Sequence, residues 1–369
     1  LPVLRDERLS WWLDPGTDLV MEMHLTPTGK PEPVRCELGL YFAEGAPSFL
    51  PVILRLGSKS MDIPAGEREF EMRDALTLPV DVKLLNVYPH AHLLARRMEG
   101  WAVFPDGRKH WLLRIPQWNF DWQDEYQYPE PILLPEGTRI EMRYTYDNSA
   151  SNPRNPHTPP RRVTYGPETD DEMGDLWFQV ITRSPEDRNV LGAMLNRREV
   201  DSIIEEKQFR LTITPEDTDE MNALAAALAM RQEPEAALRW LLRARELSPD
   251  DGKTLNNLGG HYLQSGQFAL AQQHFESVLE RHPDRLEVLK NLAKVHGARE
   301  RFPESEHYFT RYLNLNDFDP EAHFLAARVK LALGKRDEAI RHLERSRTLA
   351  PHNPQPRVLL QKLGSSSES

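Results

Sequence analysis

The sequence is poor in cysteine, in long apolar runs and in positive charge. Its 369 residues include one cysteine, Cys36, so no disulfide can form within the chain and its thiols do not indicate a redox compartment. No run of about eighteen apolar residues occurs, which predicts that no segment spans a membrane. The net charge is -11 and no basic patch is present, which argues against nucleic acid as a partner.

The length predicts two or three domains. Residues 49–182 consist of short alternating segments separated by turn signals such as Pro105-Asp106-Gly107, a spacing typical of an antiparallel β-sandwich or jelly roll. Residues 183–215 form a charged connector, in which Ser184 is expected to cap a helix that ends at Arg198. The chain therefore contains a β domain, a charged connector and a further region after residue 215.

A 34-residue period begins after residue 215, where alanine and leucine become more frequent. Leu258-Gly259, Tyr262 and the turn residue Gly266 belong to one unit, whereas Gln232 and Glu300 replace the turn glycine in others. The positions that repeat are Pro249, Pro283, Asp317 and Pro351; Leu224, Leu258, Leu292 and Ala326; Ala237, Ala271, Ser305 and Ala339; and Leu241, Phe275, Phe309 and Leu343. This pattern resembles the tetratricopeptide repeat.

The period predicts an α-helical domain over residues 216–363. It would contain four units between 216 and 351, closed by a capping helix from Pro356 to Leu363, before a low-complexity tail at 364–369 that is expected to be disordered. Such arrays usually bind a partner protein on their concave face. A rigid spacer or a self-association surface is the alternative.

Three aromatic residues, Trp118, Phe120 and Trp122, alternate with polar residues. This alternation predicts one buried aromatic face on a strand. A row of rings for stacking against carbohydrate is the alternative, although aromatic residues are more often part of a core.

His90 and His92 lie two residues apart in a predicted strand. Side chains at i and i+2 share a face about 6.6 Å apart, close enough for two imidazoles to bind one ion. Two incidental histidines on a half-buried strand are the alternative. A cupin site would place a carboxylate four or five residues further on, but Arg96 and Arg97 occupy those positions.

Together with Asp171-Glu172-Met173, this His-x-His pair resembles the copper type II, ascorbate-dependent monooxygenases, the family of peptidylglycine hydroxylating monooxygenase and dopamine β-monooxygenase. The resemblance is to the bacterial branch and covers residues 15–182. It implies a copper ion held by His90, His92 and Met173, at which O₂ is activated to hydroxylate a C–H bond. Two imidazoles and a thioether also suit a copper ion that cycles between Cu(I) and Cu(II).

In this family a second, all-histidine copper supplies an electron, and His24 matches the third ligand of that site. Residues 1–48 would then be the end of the preceding β domain, with strands at Asp18–Leu25 and Cys36–Phe42. The chain starts at Leu1 without a signal peptide, so we expect a fragment or processed chain that binds one copper and shows little turnover.

The resemblance leaves the substrate open, whether small molecule or peptide. Members that amidate peptides carry an arginine where this chain has Tyr88. The reductant would be ascorbate or a redox partner protein, and export to the periplasm or secretion is expected. A non-catalytic copper-binding or scaffold protein that works through its repeats is the alternative function, and a β module without metal is a third.

Overall fold

The computed structural model describes residues 50–365 without a break, together with residues 9, 13, 17–21, 23, 25, 29–42 and 44–45. These residues fall into two compact units. The first contains residues 9, 44–45 and 50–240, and the second contains the described residues of 11–42 and residues 241–365.

The first unit is rich in β-structure. Its strands are β1 (Val52–Gly57), β2 (Asp62–Ile63), β3 (Phe70–Thr77), β4 (Val82–Ala91), β5 (Ala95–Val103), β6 (Lys109–Ile115), β7 (Tyr126–Leu134), β8 (Arg139–Tyr146), β9 (Val163–Thr164) and β10 (Gly174–Thr182). They form two four-stranded antiparallel sheets, with orders β1-β10-β4-β7 and β3-β8-β5-β6, and a separate β2-β9 pair. The predicted β-rich region is therefore confirmed.

The two large sheets share one apolar core. Strand β10 shows how the sequence builds it, because Leu176, Phe178 and Val180 are fully buried while Asp175 and Trp177 alternate with them. Strand residues alternate between faces, so the first three face inward and the other two lie on the outer face of the sheet. The predicted hairpin turn between β5 and β6 is also present, with Gly107 at φ 84°.

Helix α1 spans Pro185–Ile213, and it is much longer than the predicted helix, which was expected to end at Arg198. The Ser184 cap is confirmed, since its hydroxyl accepts a 3.1 Å hydrogen bond from the Asp187 N–H. No glycine or proline interrupts the sequence between Arg198 and Pro215, so nothing stops the helix earlier. Leu191 is fully buried in the core between the sheets, which anchors α1 to the first unit.

Nine further helices follow. They are α2 (Thr218–Met230), α3 (Pro234–Leu247), α4 (Gly252–Gln264), α5 (Phe268–Arg281), α6 (Leu286–Ala298), α7 (Phe302–Leu315), α8 (Pro320–Ala332), α9 (Arg336–Leu349) and α10 (Pro354–Ser365). In the second unit, α4 packs on α5, α6 on α7 and α8 on α9, and each pair packs on the next. The predicted helical array is confirmed.

Helix α10 is the predicted capping helix, and it runs two residues further at each end than expected. Leu359, Leu360 and Leu363 pack against the last apolar cluster of the array. Because Gly364 belongs to α10, the expectation of a disordered tail from residue 364 is wrong for that position. Residues 366–369 lie outside the described residues.

Strands were also predicted at Asp18–Leu25 and Cys36–Phe42. The described residues of these segments adopt no strand. The side chains of Val20, Tyr41 and Phe42 are between 84% and 91% exposed. An alternating sequence forms a stable strand only when another strand satisfies its backbone and covers its apolar face, and the described residues provide neither.

The turn inside each helical repeat uses the same left-handed backbone conformation. Gly266 and Gly334 have φ of 74° and 75°, and the non-glycine residues Gln232 and Glu300 have φ of 66° and 57°. These four positions are 34 residues apart, so the repeat keeps its turn geometry even where the consensus glycine is missing.

We therefore expect Glu300→Gly to stabilise the second unit by about 0.5–1 kcal/mol, because glycine adopts positive φ without the steric cost that a Cβ imposes. Urea unfolding followed by the far-UV circular dichroism of the helices measures this difference. The matched control is Gly266→Ala, which places a Cβ at the equivalent turn and should lower stability. A destabilised Glu300→Gly variant would contradict this explanation.

A pair of histidines, His323 buried and His342 half-buried, joins α8 and α9. The Nδ1 atoms of His323 and His342 are 2.9 Å apart, and Nε2 of His323 lies 3.1 Å from the Asp317 carbonyl oxygen. Burial lowers the pKa of His342 to about 4, and the neighbouring His323 and Lys330 act in the same direction, while Glu338 opposes them. The folded state therefore favours the neutral imidazole.

This shift predicts that the second unit loses stability on acidification. Between pH 6.5 and about 4 the unfolded chain binds a proton at His342 that the folded chain does not, so the free energy of unfolding should fall as the pH falls through this window. Thermal unfolding of wild type and His342→Gln between pH 7.5 and about 4.5 tests it. The variant should show a flatter pH dependence, and equal slopes would contradict the assignment.

Candidate functional site

The candidate site lies where β4 ends on the outer face of the first sheet. His90 is the penultimate residue of β4 and pairs with Asp175 of β10, whereas His92 follows the strand directly. Their ring centroids are 5.3 Å apart and the ring planes are nearly perpendicular, at 84°. The structure thus brings the two predicted histidines together, although the pair straddles the strand end rather than lying within the strand.

The hydrogen bonds of the two imidazoles fix which nitrogen carries the proton. Nδ1 of His90 lies 2.6 Å from Gln123 Oε1, and the Gln123 amide is oriented because its Nε2 donates to the Phe120 carbonyl at 3.0 Å. Nδ1 of His92 lies 3.2 Å from the Asp171 carbonyl oxygen. Both partners are acceptors, so each Nδ1 donates and each Nε2 keeps a lone pair for another ligand.

Electrostatics at the site favours a neutral His92. Burial lowers the pKa of this histidine, the neighbouring His90 acts in the same direction, and the hydrogen bond to the Asp171 backbone opposes them. A neutral imidazole is the form that binds a metal ion.

A loop between β6 and β7 covers the two histidines. Trp118 is buried and its indole N–H donates to the His92 carbonyl at 3.2 Å, and the Phe120 ring meets the His92 ring edge to face at 5.9 Å. Trp122, by contrast, is 70% exposed. The prediction of one buried aromatic face is therefore wrong, because these residues lie in an irregular loop where strand alternation does not apply.

Glu172 holds the backbone of the site. This carboxylate is fully buried and accepts hydrogen bonds from the N–H groups of His92 at 2.5 Å, Leu94 at 2.8 Å and Met173 at 2.9 Å. Burial raises the pKa of Glu172 to about 8, against the opposing effect of these N–H donors. The acidic run before Met173 is visible in the sequence as a source of hydrogen bonds to the ligands, whereas nothing in the sequence indicates the role of Gln123.

Met173 directly precedes Gly174, the first residue of β10, and Gly174 pairs with Ala91 at the end of β4. The ladder ends at this pair, so Met173 and His92 are the first residues beyond it on the two chain segments. The hydroxyl of Tyr146 donates to the Met173 carbonyl at 3.0 Å, which fixes the backbone there.

An open cleft of about 1000 Å³ runs from Met173 along the outer face of β10 and beneath α1. Trp177, Tyr165 and Met194 supply apolar walls. Arg55 lies over the Trp177 ring at 5.5 Å and pairs with Asp175 at 2.7 Å. The cleft therefore has an aromatic wall and largely matched charges, and it is lined by Met173 but by neither His90 nor His92.

The residues present fit a copper ion better than zinc. Among residues 50–365 and the shorter described segments, no three or more His, Cys, Asp or Glu side chains are grouped to hold a metal. Met173, which directly precedes β10, is the candidate for a third protein ligand of another type. Two imidazole nitrogens and a thioether suit copper, and the oxygen acceptors on both Nδ1 atoms are the usual supports of metal-binding histidines.

His24, the predicted ligand of a second copper, lies outside the described residues. In the part of the chain that the structure describes, no helix is both long enough and apolar enough to cross a membrane.

Comparison with known proteins concerns the helical region. Residues 250–317 and 290–354 match two family models of the tetratricopeptide repeat. The C-terminal half of the chain contains tetratricopeptide repeats. The 34-residue period and the helix pairs of the second unit agree with this assignment.

One curated relative is the TPR repeat-containing protein PA4667 of Pseudomonas aeruginosa, which is 31% identical over 132 residues. The match covers 34% of this chain, and the chain spans 22% of the length of that relative.

Solved structures with similarity are also repeat proteins. One is pilF of Pseudomonas aeruginosa, at 21% identity and a TM-score of 0.43, covering 48% of this chain and 80% of that chain. Another is MamA from Desulfovibrio magneticus RS-1, at 16% identity and a TM-score of 0.38, covering 44% and 92%. A third is PilW, described as a type IV pilus biogenesis factor, at 20% identity and a TM-score of 0.39, covering 43% and 74%.

Proposed function

We propose that this chain binds a protein partner through its tetratricopeptide repeats. The match of residues 250–354 to that repeat carries the proposal, since stacked repeats present an extended concave surface to partners. The first helices of neighbouring repeats contact each other through polar side chains. Asn291 of α6 donates a hydrogen bond to Asn256 of α4 at 3.3 Å. Lys294 of α6 pairs with Glu321 of α8 at 2.8 Å. This polar row is where we place the partner.

Affinity capture with matched variants tests the proposal. Wild type and a control, Gln273→Arg on the exposed surface of α5, should enrich the same partner, whereas Asn291→Arg in the polar row should lose it. Circular dichroism confirms that all three are folded. Equal enrichment by all three proteins would count against this surface.

As a second candidate function, the β-rich unit is a copper monooxygenase-like domain with a jelly-roll fold. Two observations support it. One sheet has the strand order β1-β10-β4-β7 and the other has the order β3-β8-β5-β6. A jelly roll, which consists of two Greek keys, distributes its eight strands between two sheets in this way. The rings of His90 and His92 also lie 5.3 Å apart with their Nε2 atoms available, and Met173 directly precedes the β10 residue that pairs with Ala91.

In this proposal His90, His92 and Met173 hold the ion, which when bound supplies one-electron and O₂ chemistry. Gln123 and the Asp171 carbonyl keep both imidazoles in one orientation and tautomer. Trp118 and Phe120 exclude water from one side of His92, and the cleft along Trp177 receives a substrate whose identity the resemblance does not specify. Ascorbate or a redox protein would be the reductant, and the periplasm or the cell exterior the compartment.

Oxygen consumption separates the catalytic from the non-catalytic version of this proposal. Copper-loaded wild type with ascorbate should consume O₂ faster than the copper-treated double variant His90→Ala/His92→Ala. Stoichiometric copper binding without any difference in O₂ consumption would favour a copper-binding scaffold. No bound copper would leave the repeats as the working part of the chain.

A further inference from the structure

A buried carboxylate helps to connect the two chain segments of the candidate copper site. Glu172 is fully buried, and among the described residues it forms no ion pair with a lysine or an arginine. Buried carboxylates are usually paired with a cation or fully hydrogen-bonded. Glu172 is of the second kind, because it accepts hydrogen bonds from the backbone N–H groups of His92, Leu94 and Met173.

The two carboxylate oxygens have different partners. Oε1 accepts from the N–H of His92 and from the N–H of Met173, at 2.5 and 2.9 Å. Oε2 accepts from the N–H of Leu94 at 2.8 Å. One oxygen atom therefore holds the backbone of an imidazole ligand and that of the thioether ligand, and the other holds the turn that follows His92.

The strand pairing alone does not fix this arrangement. The ladder between β4 and β10 ends at Ala91 and Gly174, one residue short of His92 and Met173. Beyond that pair, Oε1 of Glu172 replaces the missing backbone ladder. The separation of His92 from Met173 therefore depends on the length of this side chain, beside the hydrogen bond from His92 Nδ1 to the Asp171 carbonyl.

We propose that Glu172 is the positioning residue of the copper site and sets the distance between His92 and Met173. The inference rests on the copper-binding part of the proposed function. Shortening this side chain by one methylene should move the thioether away from the imidazoles and leave a site with two imidazoles. Such a site retains Cu²⁺ better than Cu⁺, since a soft thioether contributes most to the affinity for Cu⁺.

Two variants of the full chain separate positioning from general stability. Glu172→Asp should lower the Cu⁺ affinity about 10- to 100-fold, the usual loss when a supporting residue of a metal site is removed, with a smaller change for Cu²⁺. Glu172→Gln keeps an oxygen for His92 and Met173 and places its amide N–H₂ against Leu94. It should lose stability yet retain a Cu⁺ affinity near that of wild type.

The matched control is Glu99→Asp, which makes the same change at a carboxylate that is 3% exposed and bound to Arg143 in the other sheet. It should leave both copper affinities unchanged. Metal-free protein gives a second readout: amide hydrogen exchange at His92 and Met173 should be faster in Glu172→Asp and unchanged in Glu99→Asp.

Competition titrations with Cu⁺ and Cu²⁺ chelators and X-ray absorption at the copper edge measure these effects. Loss of the copper–sulfur contact in Glu172→Asp, with its retention in Glu172→Gln, is the expected result. Equal losses of both copper affinities, or an unchanged contact in Glu172→Asp, would overturn the positioning role while copper binding stands. Wild type without a copper–sulfur contact would overturn the His-His-Met site and the positioning role together.

Discussion

Replacing His92 with alanine is expected to lower the copper affinity of the chain more than 100-fold. Loss of a residue that only supports a ligand typically costs 10- to 100-fold, and loss of a ligand itself should exceed that. The side chain of His92 is largely enclosed by Phe120 and the Asp171 backbone, so no neighbouring residue can replace its Nε2. Isothermal titration with Cu²⁺ in a competing buffer measures the change.

His110 provides the matched control for this prediction. It is an exposed histidine of β6 in the same unit, with its ring against Phe104 and no assigned role. His110→Ala should bind copper as wild type does. If the two variants lost affinity equally, the copper would be bound by surface histidines and the assignment of the site would be wrong.

Replacing Phe275 with alanine is expected to destabilise the second unit by about 3–5 kcal/mol. Phe275 of α5 is fully buried, and a Cβ built on Gly259 of α4 would approach its ring to 2.6 Å. The phenyl ring thus fills the space that a glycine leaves at the helix crossing. Its removal creates a cavity between rigid helices that cannot close, and chemical unfolding followed by circular dichroism measures the loss.

Phe318 serves as the control for this change. It lies in the same unit between α7 and α8 and is 60% exposed. Phe318→Ala removes the same atoms and should change the free energy of unfolding by less than about 1 kcal/mol, since little apolar surface is buried there. Similar losses in both variants would mean that the helices do not pack around Phe275 as described.

The helical half of the chain was predictable because its signal is repeated. Each unit contributes its own copy of a position, so substitutions such as Glu300 for the turn glycine do not hide the period. The β-rich half was predictable in kind, from alternation and turn residues. The end of α1 was not predictable. The helix was expected to end at Arg198, but no glycine or proline follows that residue to stop it before Pro215.

The two histidines of the candidate site were predictable from their spacing, whereas Met173 came only from the family resemblance. Spacing alone placed His90 and His92 together, since local geometry determines the distance between i and i+2 residues. The partners Gln123 and Glu172 reach the histidines from other segments, and their roles depend on contacts distant in sequence. The alternation at Trp118 and Trp122 was misleading for the same reason, because a loop that folds over the site has no strand periodicity.

The most direct test of the account is X-ray absorption at the copper edge on the Cu⁺-loaded chain. We predict one copper per chain, bound by two imidazoles and one sulfur, with the sulfur lost in Met173→Leu and retained in Cys36→Ser. This pair of variants distinguishes the thioether from the single thiol of the chain. A spectrum without sulfur, or a sulfur signal that survives in Met173→Leu, would contradict the His-His-Met site.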